Sequence, residues 1–260
     1  MRLAIIGGTG VYDLRMLGEI REEKVVTPYG EVGLRVGRYK NEEVAFLARH
    51  AADHSVPPHR VNYRANIWAL KKLGVERVLA TAAVGSLNPT MKMGDLVFTD
   101  QFLDFTHARP FTFFEGGETG TYHTDFTEPY CPQIRSVMVE VAAEMALSSH
   151  SGGVYVCSEG PRFETPAEIR AFACLGGDVV GMTSIPEVVL AHEAGLCYAT
   201  IALVTNMAAG LSQTALVGEE HRTAMLEAGE KLKSFILNVL EKLPVERSCK
   251  CLATAGPLKI

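Results

Sequence analysis

The segment Tyr198–Val204 reads YATIALV, and it is apolar throughout. Such a run is typical of a β-strand that is covered on both faces, as in a sheet that lies between two layers of helices. Thr205-Asn206 follows directly, so polar side chains replace apolar ones where the run ends. We therefore predict a buried central strand with candidate functional side chains at its carboxyl end.

Outward from this segment, short apolar runs alternate with longer amphipathic stretches. The predicted strands are Arg2–Ile6, Val44–Ala48, Arg77–Ala83, Asp95–Thr99, Gly153–Cys157, Asp178–Met182 and Tyr198–Val204. The predicted helices are Arg60–Leu73, Pro132–Met145, Thr165–Leu175, Ser184–Ala194 and Glu219–Leu243. This alternation predicts an α/β fold with a largely parallel or mixed sheet. The stretch Asp104–Pro129 is rich in Thr, Gly, aromatic residues and His, and we expect it to be a long loop of functional importance.

Composition restricts the classes of protein that this chain represents. Hydrophobic residues make up 47% of the 260 residues and charged residues 21%, which is typical of an ordered globular protein. The net charge of −5 argues against a nucleic-acid partner. Because no apolar run reaches the roughly 18–20 residues of a spanning helix, we expect no membrane partner. Six cysteines are too few for a disulfide scaffold, so we expect a reduced, cytoplasmic protein.

The candidate functional residues follow the predicted strands. They form the segments Gly7–Gly10, Arg49-His50, Thr81–Ser86, Ser158–Thr165, Gly181–Ser184 and Thr205–Gly210. Each segment by itself also has a purely structural interpretation, such as a tight turn or a helix cap. Together they indicate a ligand site, because open α/β sheets bind ligands at the carboxyl ends of their strands.

Two other kinds of site fit the sequence less well. His50, His54 and His59 do not have the spacing of a helical zinc motif, so we predict no metal site there. The loop Gly8-Thr9-Gly10 suggests a dinucleotide-binding oxidoreductase as an alternative class of function. However, Asp13 stands where that motif has its third glycine.

Several motifs in order resemble one enzyme family. They are Gly8-Thr9-Gly10, Leu47–His50, Val61–Asn66, Gly160–Phe163, Gly181–Thr183, Pro186–Val188 and Thr205-Asn206. The chain thereby resembles, from Arg2 to about Leu243, the trimer-forming family of purine nucleoside phosphorylases and methylthioadenosine phosphorylases. The resemblance implies a single α/β domain, with a central mixed β-sheet flanked by helices, over residues 1–243. Residues 244–260 then form a polar tail, which we expect to be peripheral.

The resemblance also implies roles for individual residues. The implied phosphate-binding residues are Thr9, Arg49, His50, Ala82, Ala83 and Thr183, with the alanines acting through their backbone. In the implied nucleoside site, Phe163 stacks on the base, Met182 lies against the ribose, and Glu164 and Asn206 contact the base edge, with Met207 and Ala208 beside them. His50 and Asn206 are the implied catalytic residues. The resemblance implies no cofactor, since inorganic phosphate is a co-substrate.

Base preference is predicted from two of these positions. Adenine-cleaving members carry aspartate where this chain has Asn206 and Ala208, and a small serine-like residue where it has Glu164. An amide at Asn206 donates to O6 or N7 of a 6-oxopurine, and a carboxylate at Glu164 accepts from N1–H. We therefore predict phosphorolysis of inosine and guanosine. The alternatives are methylthioinosine and, with less support, methylthioadenosine, and the choice depends on the 5′ group near Gly218 or Glu219.

Three further questions stay open at this level. The resemblance implies a homotrimer or a dimer of trimers, with the His107–His123 region completing a neighbouring site. Cys249-Lys250-Cys251 resembles a disulfide-forming pair of heat-stable family members, whereas an inert tail and a metal site with unidentified further ligands are the alternatives. A nucleoside-binding protein without catalytic activity is another class of function, and phosphate-dependent turnover distinguishes it from an enzyme.

Overall fold

The computed structural model of the chain describes residues 1–8, 17–51, 53–212 and 219–258, and for residues 219–228 the backbone alone. The strands are β1 Leu3–Gly7, β2 Gly18–Thr27, β3 Gly30–Tyr39, β4 Glu42–Ala48, β5 Arg77–Ser86, β6 Leu96–Phe98, β7 Gln101–Phe105, β8 Ser149–His150, β9 Val154–Ser158, β10 Val179–Gly181 and β11 Cys197–Met207. The α-helices are α1 Tyr63–Lys72, α2 Pro132–Glu144, α3 Pro166–Cys174, α4 Ser184–Glu193 and α5 Glu219–Lys242. The predicted elements are therefore present, with ends shifted by a few residues.

All of these strands join one mixed sheet, which confirms the predicted fold class. Its main path runs β2-β3-β4-β1-β5-β10-β9-β7, and β11 lies beside β5 and β6. Strands β4, β1, β5 and β11 pair in parallel, whereas β10 is antiparallel to β5. The long strand β5 contacts β1 along its first half and β10 at its end. The parallel strands therefore open their carboxyl ends toward a common edge.

Side chains of β11 alternate between two apolar clusters, as a strand covered on both faces requires. Tyr198 and Ala202 belong to the cluster that includes residues of α1 and α4. Ile201 and Leu203 belong to the cluster on the opposite face, which includes residues of α2 and α5. The buried central strand predicted from YATIALV is thereby confirmed.

Four strands were absent from the sequence prediction, namely β2, β3, β7 and the two-residue strand β8. The hairpin of β2 and β3 is exposed along most of β2, whose segment Glu19–Lys24 is mostly charged. Because β2 lies at the edge of the sheet, one of its sides and most of its side chains face solvent, and the apolar signal is weak. Strand β7 forms the opposite edge beside β9, and only its last two residues fall within the predicted long loop. The rest of that loop, residues 106–129, contains neither an α-helix nor a strand, as predicted.

The tail after Pro244 packs against the domain, although most of its described residues are exposed or half-buried. The guanidinium of Arg77, whose side chain is 1% exposed, donates to the carbonyl oxygen of Glu246 at 2.9 Å. Arg247 donates to the carbonyl oxygen of Gly195 at 3.1 Å. Cys251 is buried. The tail thus supplies hydrogen-bond acceptors that a buried cation needs.

None of the helices in the described part of the chain is long and apolar enough to cross a membrane.

Candidate active site

The candidate segments converge on one cleft of about 460 Å³ at the carboxyl edge of the sheet. Among the residues that line it are the predicted Arg49, His50, Ala82, Ala83, Phe163, Glu164, Met182, Thr183, Asn206 and Ala208. Met207 lies next to Asn206 but is not among the lining residues. Thr9 and Gly218 lie outside the described residues, as does the side chain of Glu219. The topology therefore brings together the predicted residues that the structure describes, apart from Met207.

Arg49 follows β4 and is held by a buried carboxylate. Its Nε and Nη2 donate to the two carboxylate oxygens of Glu187 at 2.7 and 2.6 Å, and its Nη1 donates to the carbonyl oxygen of Thr81 at 2.8 Å. Glu187 also accepts from the hydroxyl of Tyr198 at 2.7 Å. Of the guanidinium's five N–H groups, one on Nη1 and one on Nη2 remain for a ligand. The fork of Arg49, an implied phosphate-binding residue, is therefore directed at Glu187.

Burial and the charge of Glu187 have opposite effects on the pKa of Arg49. Desolvation lowers the pKa of its buried guanidinium, but the attraction and hydrogen bonds of Glu187 outweigh that effect and raise the pKa. Arg49 is thus a permanent cation at the cleft. Removing one member of such a buried pair costs about 3–5 kcal/mol, since the other charge is left without a partner.

His50 occupies the cleft as a neutral imidazole. Its Nδ1 lies 2.8 Å from the carbonyl oxygen of Val56, which accepts and therefore requires the proton on Nδ1. Burial, followed by the charge of Arg49, lowers the pKa of His50 to about 4. Near neutral pH, Nε2 is consequently an acceptor with a free lone pair. Such a nitrogen pairs with a ligand that carries its own proton, such as hydrogen phosphate.

The backbone of β5 passes close to the first glycine loop. The amide N–H of Gly8 donates to the Thr81 hydroxyl at 2.8 Å. A Cβ atom at Gly8 would lie 2.6 Å from the Thr81 carbonyl oxygen and 2.8 Å from Nη1 of Arg49. Only glycine fits this contact without a shift of backbone or guanidinium. The glycine therefore allows β1 and Arg49 to meet at the cleft.

Thr183 precedes α4 and also lines the cleft. Its side chain caps no backbone N–H of the helix, which removes the capping role as the reason for a threonine here. The neighbouring Ser184 hydroxyl is paired with the Tyr130 hydroxyl at 2.7 Å. The Thr183 side chain instead lies within hydrogen-bond range of the Tyr155 hydroxyl. A hydroxyl at a helix start is suited to an anion.

Phe163 and Glu164 form the opposite part of the cleft. Phe163 is 54% exposed, so it is not a core residue. An exposed aromatic ring in a cleft offers a flat apolar face for a flat ligand. The carboxylate of Glu164 accepts a hydrogen bond from the Ser158 hydroxyl at the end of β9. This contact orients one carboxylate oxygen and leaves acceptor capacity on the group.

Asn206 projects from an irregularity in β11. The pairing of β11 with β5 shifts register between Val204 and Asn206, so that Asn206 lies opposite Gly85. Such irregularities redirect side chains and are frequent beside active sites. The Thr205 hydroxyl donates to Asn206 Oδ1 at 2.8 Å, and Asn206 Nδ2 donates to the Met207 carbonyl oxygen at 2.9 Å. The amide is therefore oriented with one N–H of Nδ2 available as a donor.

Arg109 does not line the cleft but supports two segments that do, and sequence reasoning missed it. It comes from the long loop, and its side chain is 2% exposed. Its Nη1 donates to the carbonyl oxygens of Met182 and Ile185 at 2.8 and 2.6 Å. Its Nη2 donates to the carbonyl oxygen of Glu159 at 2.6 Å. Arg109 thus connects the turn that carries Phe163 with the segment that carries Met182 and Thr183.

Glu187 was quoted as part of a motif but received no role. A usable signal was present, because Glu187 stands in the apolar run Ile185–Leu190, where a carboxylate needs a buried partner. For Arg109 the signal was weaker, since a long loop shows no periodicity that predicts burial. In both cases the partner lies far away in sequence, which only the fold reveals.

The cleft therefore combines two chemistries. One part offers the Arg49 cation, the Thr183 hydroxyl and a neutral His50, which suits an anion such as phosphate. The other part offers an aromatic ring, a carboxylate acceptor and an amide donor, which suits a flat heterocycle with polar edges.

Known proteins share this arrangement of sequence and fold. The model of the phosphorylase superfamily matches residues 2–241. A probable 6-oxopurine nucleoside phosphorylase of Moorella thermoacetica is 59% identical over 260 residues, covering 100% of both chains. A probable S-methyl-5′-thioinosine phosphorylase of Methanothermobacter thermautotrophicus is 49% identical over 255 residues, covering 96% of this chain and 87% of its own. The crystal structure of a methylthioadenosine phosphorylase from an antarctic soil metagenomic library superposes with a TM-score of 0.91 at 34% identity, covering 97% of this chain and 90% of that one.

Proposed function

The chain belongs to the phosphorylase superfamily, and from this premise we propose that it is a 6-oxopurine nucleoside phosphorylase. It converts inosine- and guanosine-type nucleosides and phosphate, reversibly, into free purine and ribose 1-phosphate. The observation that carries the proposal is the fixed Asn206 amide, with one free N–H in a cleft that also contains Glu164 and Phe163. The name of the Moorella relative, which is 59% identical, supports the same substrate class.

In the proposed mechanism, phosphate is the nucleophile. A phosphate oxygen forms a bond to C1′ of the sugar while the bond from C1′ to the purine nitrogen breaks, and the electron pair of that bond goes to the purine. Arg49, Thr183 and the β5 backbone near Ala83 orient the phosphate, and the free Nε2 of His50 accepts a hydrogen bond from the hydroxyl of hydrogen phosphate. The bound anion stabilises the positive charge that develops on the sugar.

The purine leaves with developing negative charge, and the proposed role of Asn206 is to stabilise that charge. Its free N–H donates to N7 or O6 of the base, and donors of this kind contribute about 10²–10³ in kcat. Glu164 accepts from N1–H of hypoxanthine, and also from the 2-amino group of guanine. Adenine has no proton on N1, so the same carboxylate faces an acceptor. An unsatisfied buried polar group of this kind gives discrimination on the order of 10⁴-fold in favourable cases.

The base assignment is tested with a double variant. In Glu164→Ser/Asn206→Asp, we expect kcat/KM for inosine to fall and the ratio of adenosine to inosine turnover to rise, because both base contacts then suit a 6-amino group. The control is Glu128→Ser, which replaces a glutamate by serine at an exposed position that does not line the cleft. A folded double variant with the base preference of the wild type would contradict the assignment, as would an altered preference in the control.

A second candidate is a methylthioinosine phosphorylase, favoured by the relative that is 49% identical. The contacts of Glu164 and Asn206 are the same for both functions, and Gly218 and Glu219 carry the difference at the 5′ group. Phosphorolysis of inosine, guanosine, adenosine, methylthioinosine and methylthioadenosine, compared by kcat/KM, separates the candidates. Turnover that requires phosphate also excludes a nucleoside-binding protein without activity. Membership of the phosphorylase superfamily excludes the alternative of a dinucleotide-binding oxidoreductase.

The proposed assembly is a homotrimer or a dimer of trimers. In one chain, the His107 amide donates to the Glu159 carboxylate at 2.9 Å, so the loop that we expect to reach a neighbouring site starts beside the cleft. Analytical ultracentrifugation tests the assembly. The cytoplasmic location expected from the cysteine content stays a prediction, which cell fractionation tests.

A further inference from the structure

Four cysteines from three separate parts of the chain meet at the amino end of β11. Cys131 precedes α2, Cys197 begins β11, and Cys249 and Cys251 come from the tail. Their four sulfur atoms all lie within 4.8 Å of one another. Cys131, Cys197 and Cys251 are buried, and Cys249 is half-buried. Neither the proposed reaction nor the cleft uses any of them.

The geometry of the four sulfurs matches that of a metal tetrathiolate. Zinc–sulfur bonds of about 2.3 Å place the sulfurs of a tetrahedral site about 3.8 Å apart. The Sγ atoms of Cys197 and Cys249 are 3.4 Å apart, and all four cysteines are free thiols in the structure. A disulfide requires sulfurs about 2.05 Å apart and joins them in pairs. Here all four sulfurs are free and lie within 4.8 Å of one another.

The backbone around the cluster fixes the positions of its members. The Cys131 amide donates to the Tyr198 carbonyl oxygen, and the Cys197 amide donates to the Glu76 carbonyl oxygen, each at 2.8 Å. On the tail side, the Ser248 amide donates to the Gln133 side-chain oxygen at 3.3 Å. The ligands therefore stand on anchored segments, as a preorganised site requires.

The donor set selects the kind of ion. Four sulfur donors without a carboxylate exclude magnesium and calcium, which require oxygen ligands. A tetrahedral set of four thiolates is typical of zinc, or of iron in iron–sulfur proteins. A divalent ion with four thiolates carries net negative charge, and Arg247 and Lys250 flank Cys249 in the sequence. Four protein ligands leave no open position, so the site is structural.

We propose that Cys131, Cys197, Cys249 and Cys251 bind one zinc ion and thereby fasten the carboxyl-terminal tail to α2 and β11. From the sequence, the further ligands of a metal site at Cys249-Lys250-Cys251 stayed unidentified, because they lie 52 or more residues away. The site lies at the opposite end of β11 from Asn206, about 30 Å along the strand. It acts on the stability of the fold and is remote from the reacting atoms.

The test uses the full-length chain, purified under reducing conditions without added chelator. We expect about one zinc ion per chain by elemental analysis. Replacing zinc with cobalt(II) should give the intense visible bands of tetrahedral cobalt thiolate. We expect a large increase in thiols that react with a thiol reagent under native conditions after chelation, together with a lower Tm that added zinc restores.

Two variants make the assignment specific. Cys251→Ser should lose zinc and the cobalt spectrum, whereas Cys174→Ser, at the exposed end of α3, should retain both. Because the readouts are metal content, spectrum and Tm, the result does not depend on the identity of the nucleoside. Four reduced thiols without metal would overturn the proposal. Two disulfides in the purified protein, seen as a mass lower by four hydrogens, would overturn it as well, and iron in place of zinc would contradict the choice of ion.

Discussion

In the proposed phosphate site, burial and Glu187 set the charge states of Arg49 and His50. Glu187 is fully buried, and it keeps Arg49 charged in a place that would otherwise disfavour a cation. The same environment keeps His50 neutral, because protonation would add a second positive charge beside Arg49. One residue thus supplies a fixed charge, and its neighbour supplies an uncharged acceptor.

The low pKa of His50 makes stability depend on pH. The pKa is about 4 in the folded chain and about 6.5 when unfolded. Protonation therefore favours the unfolded state, and the stability that His50 confers is complete above pH 6.5 and lost as the pH falls toward 4. Urea unfolding of wild type and His50→Gln, in phosphate-free buffer at constant ionic strength, should show a difference in stability that shrinks over this range. A difference that stays constant with pH would contradict the assigned pKa.

At the scale of elements, the long loop supports the site from behind. Arg109 donates to carbonyl oxygens of the segments around Gly160 and Met182, which belong to different strand ends. Gly160 has a φ of +67°, and a Cβ atom there would lie 2.6 Å from the sulfur of Met182. The tight turn and the guanidinium together set the distance between the Phe163 turn and the start of α4.

Removing this connection should affect both stability and nucleoside binding. We expect Arg109→Met to destabilise the fold by about 3 kcal/mol, because several buried carbonyl oxygens lose a charged donor. We also expect KM for the nucleoside to rise more than KM for phosphate, since the turn that carries Phe163 loosens. The matched control is Arg162→Met, whose guanidinium pairs with Glu168 on the surface, and which should change Tm little. Equal effects of the two substitutions would refute the role of Arg109.

At the scale of the whole molecule, the tail closes the amino edge of the sheet while the cleft opens at the carboxyl edge. Buried Arg77 begins β5 and directs its guanidinium to carbonyl oxygens of Val245 and Glu246. The tail also reaches the loop, where the Tyr122 hydroxyl donates to the Ala255 carbonyl oxygen at 3.1 Å. The last residues of the chain therefore contribute to the packing of elements from both halves of the sequence.

Truncation after Leu243 tests this packing. We expect a lower Tm, because Arg77 then lacks its tail acceptors inside the protein. Adding Arg77→Met to the truncated chain should restore part of the loss, whereas the same substitution in the full-length chain should lower Tm. Thermal unfolding of the four proteins gives the coupling between Arg77 and the tail directly. Additive effects would show that the tail acts elsewhere.

The sequence by itself determined the fold class and most residues of the cleft. Apolar runs in the sequence identify buried strands such as β11. Parallel strands that pair with one another place their carboxyl ends at one edge of the sheet. The order of strands and polar segments along the chain was therefore enough to place Arg49, Phe163, Glu164 and Asn206 in one cleft. The edge hairpin of β2 and β3 was not predicted, because exposed strands lack an apolar run.

The tertiary structure decided the pairings between distant residues. Arg49 and Glu187 are 138 positions apart, and Arg109 is 73 positions from Met182. The four cysteines also come from distant parts of the chain, and their spacing in the sequence does not predict that they come together. Side-chain contacts of this kind depend on how segments pack in space, whereas periodicity reports only which face of a segment is buried. Strand positions thus follow from the chain, and the partners of its buried charges and thiols follow from the fold.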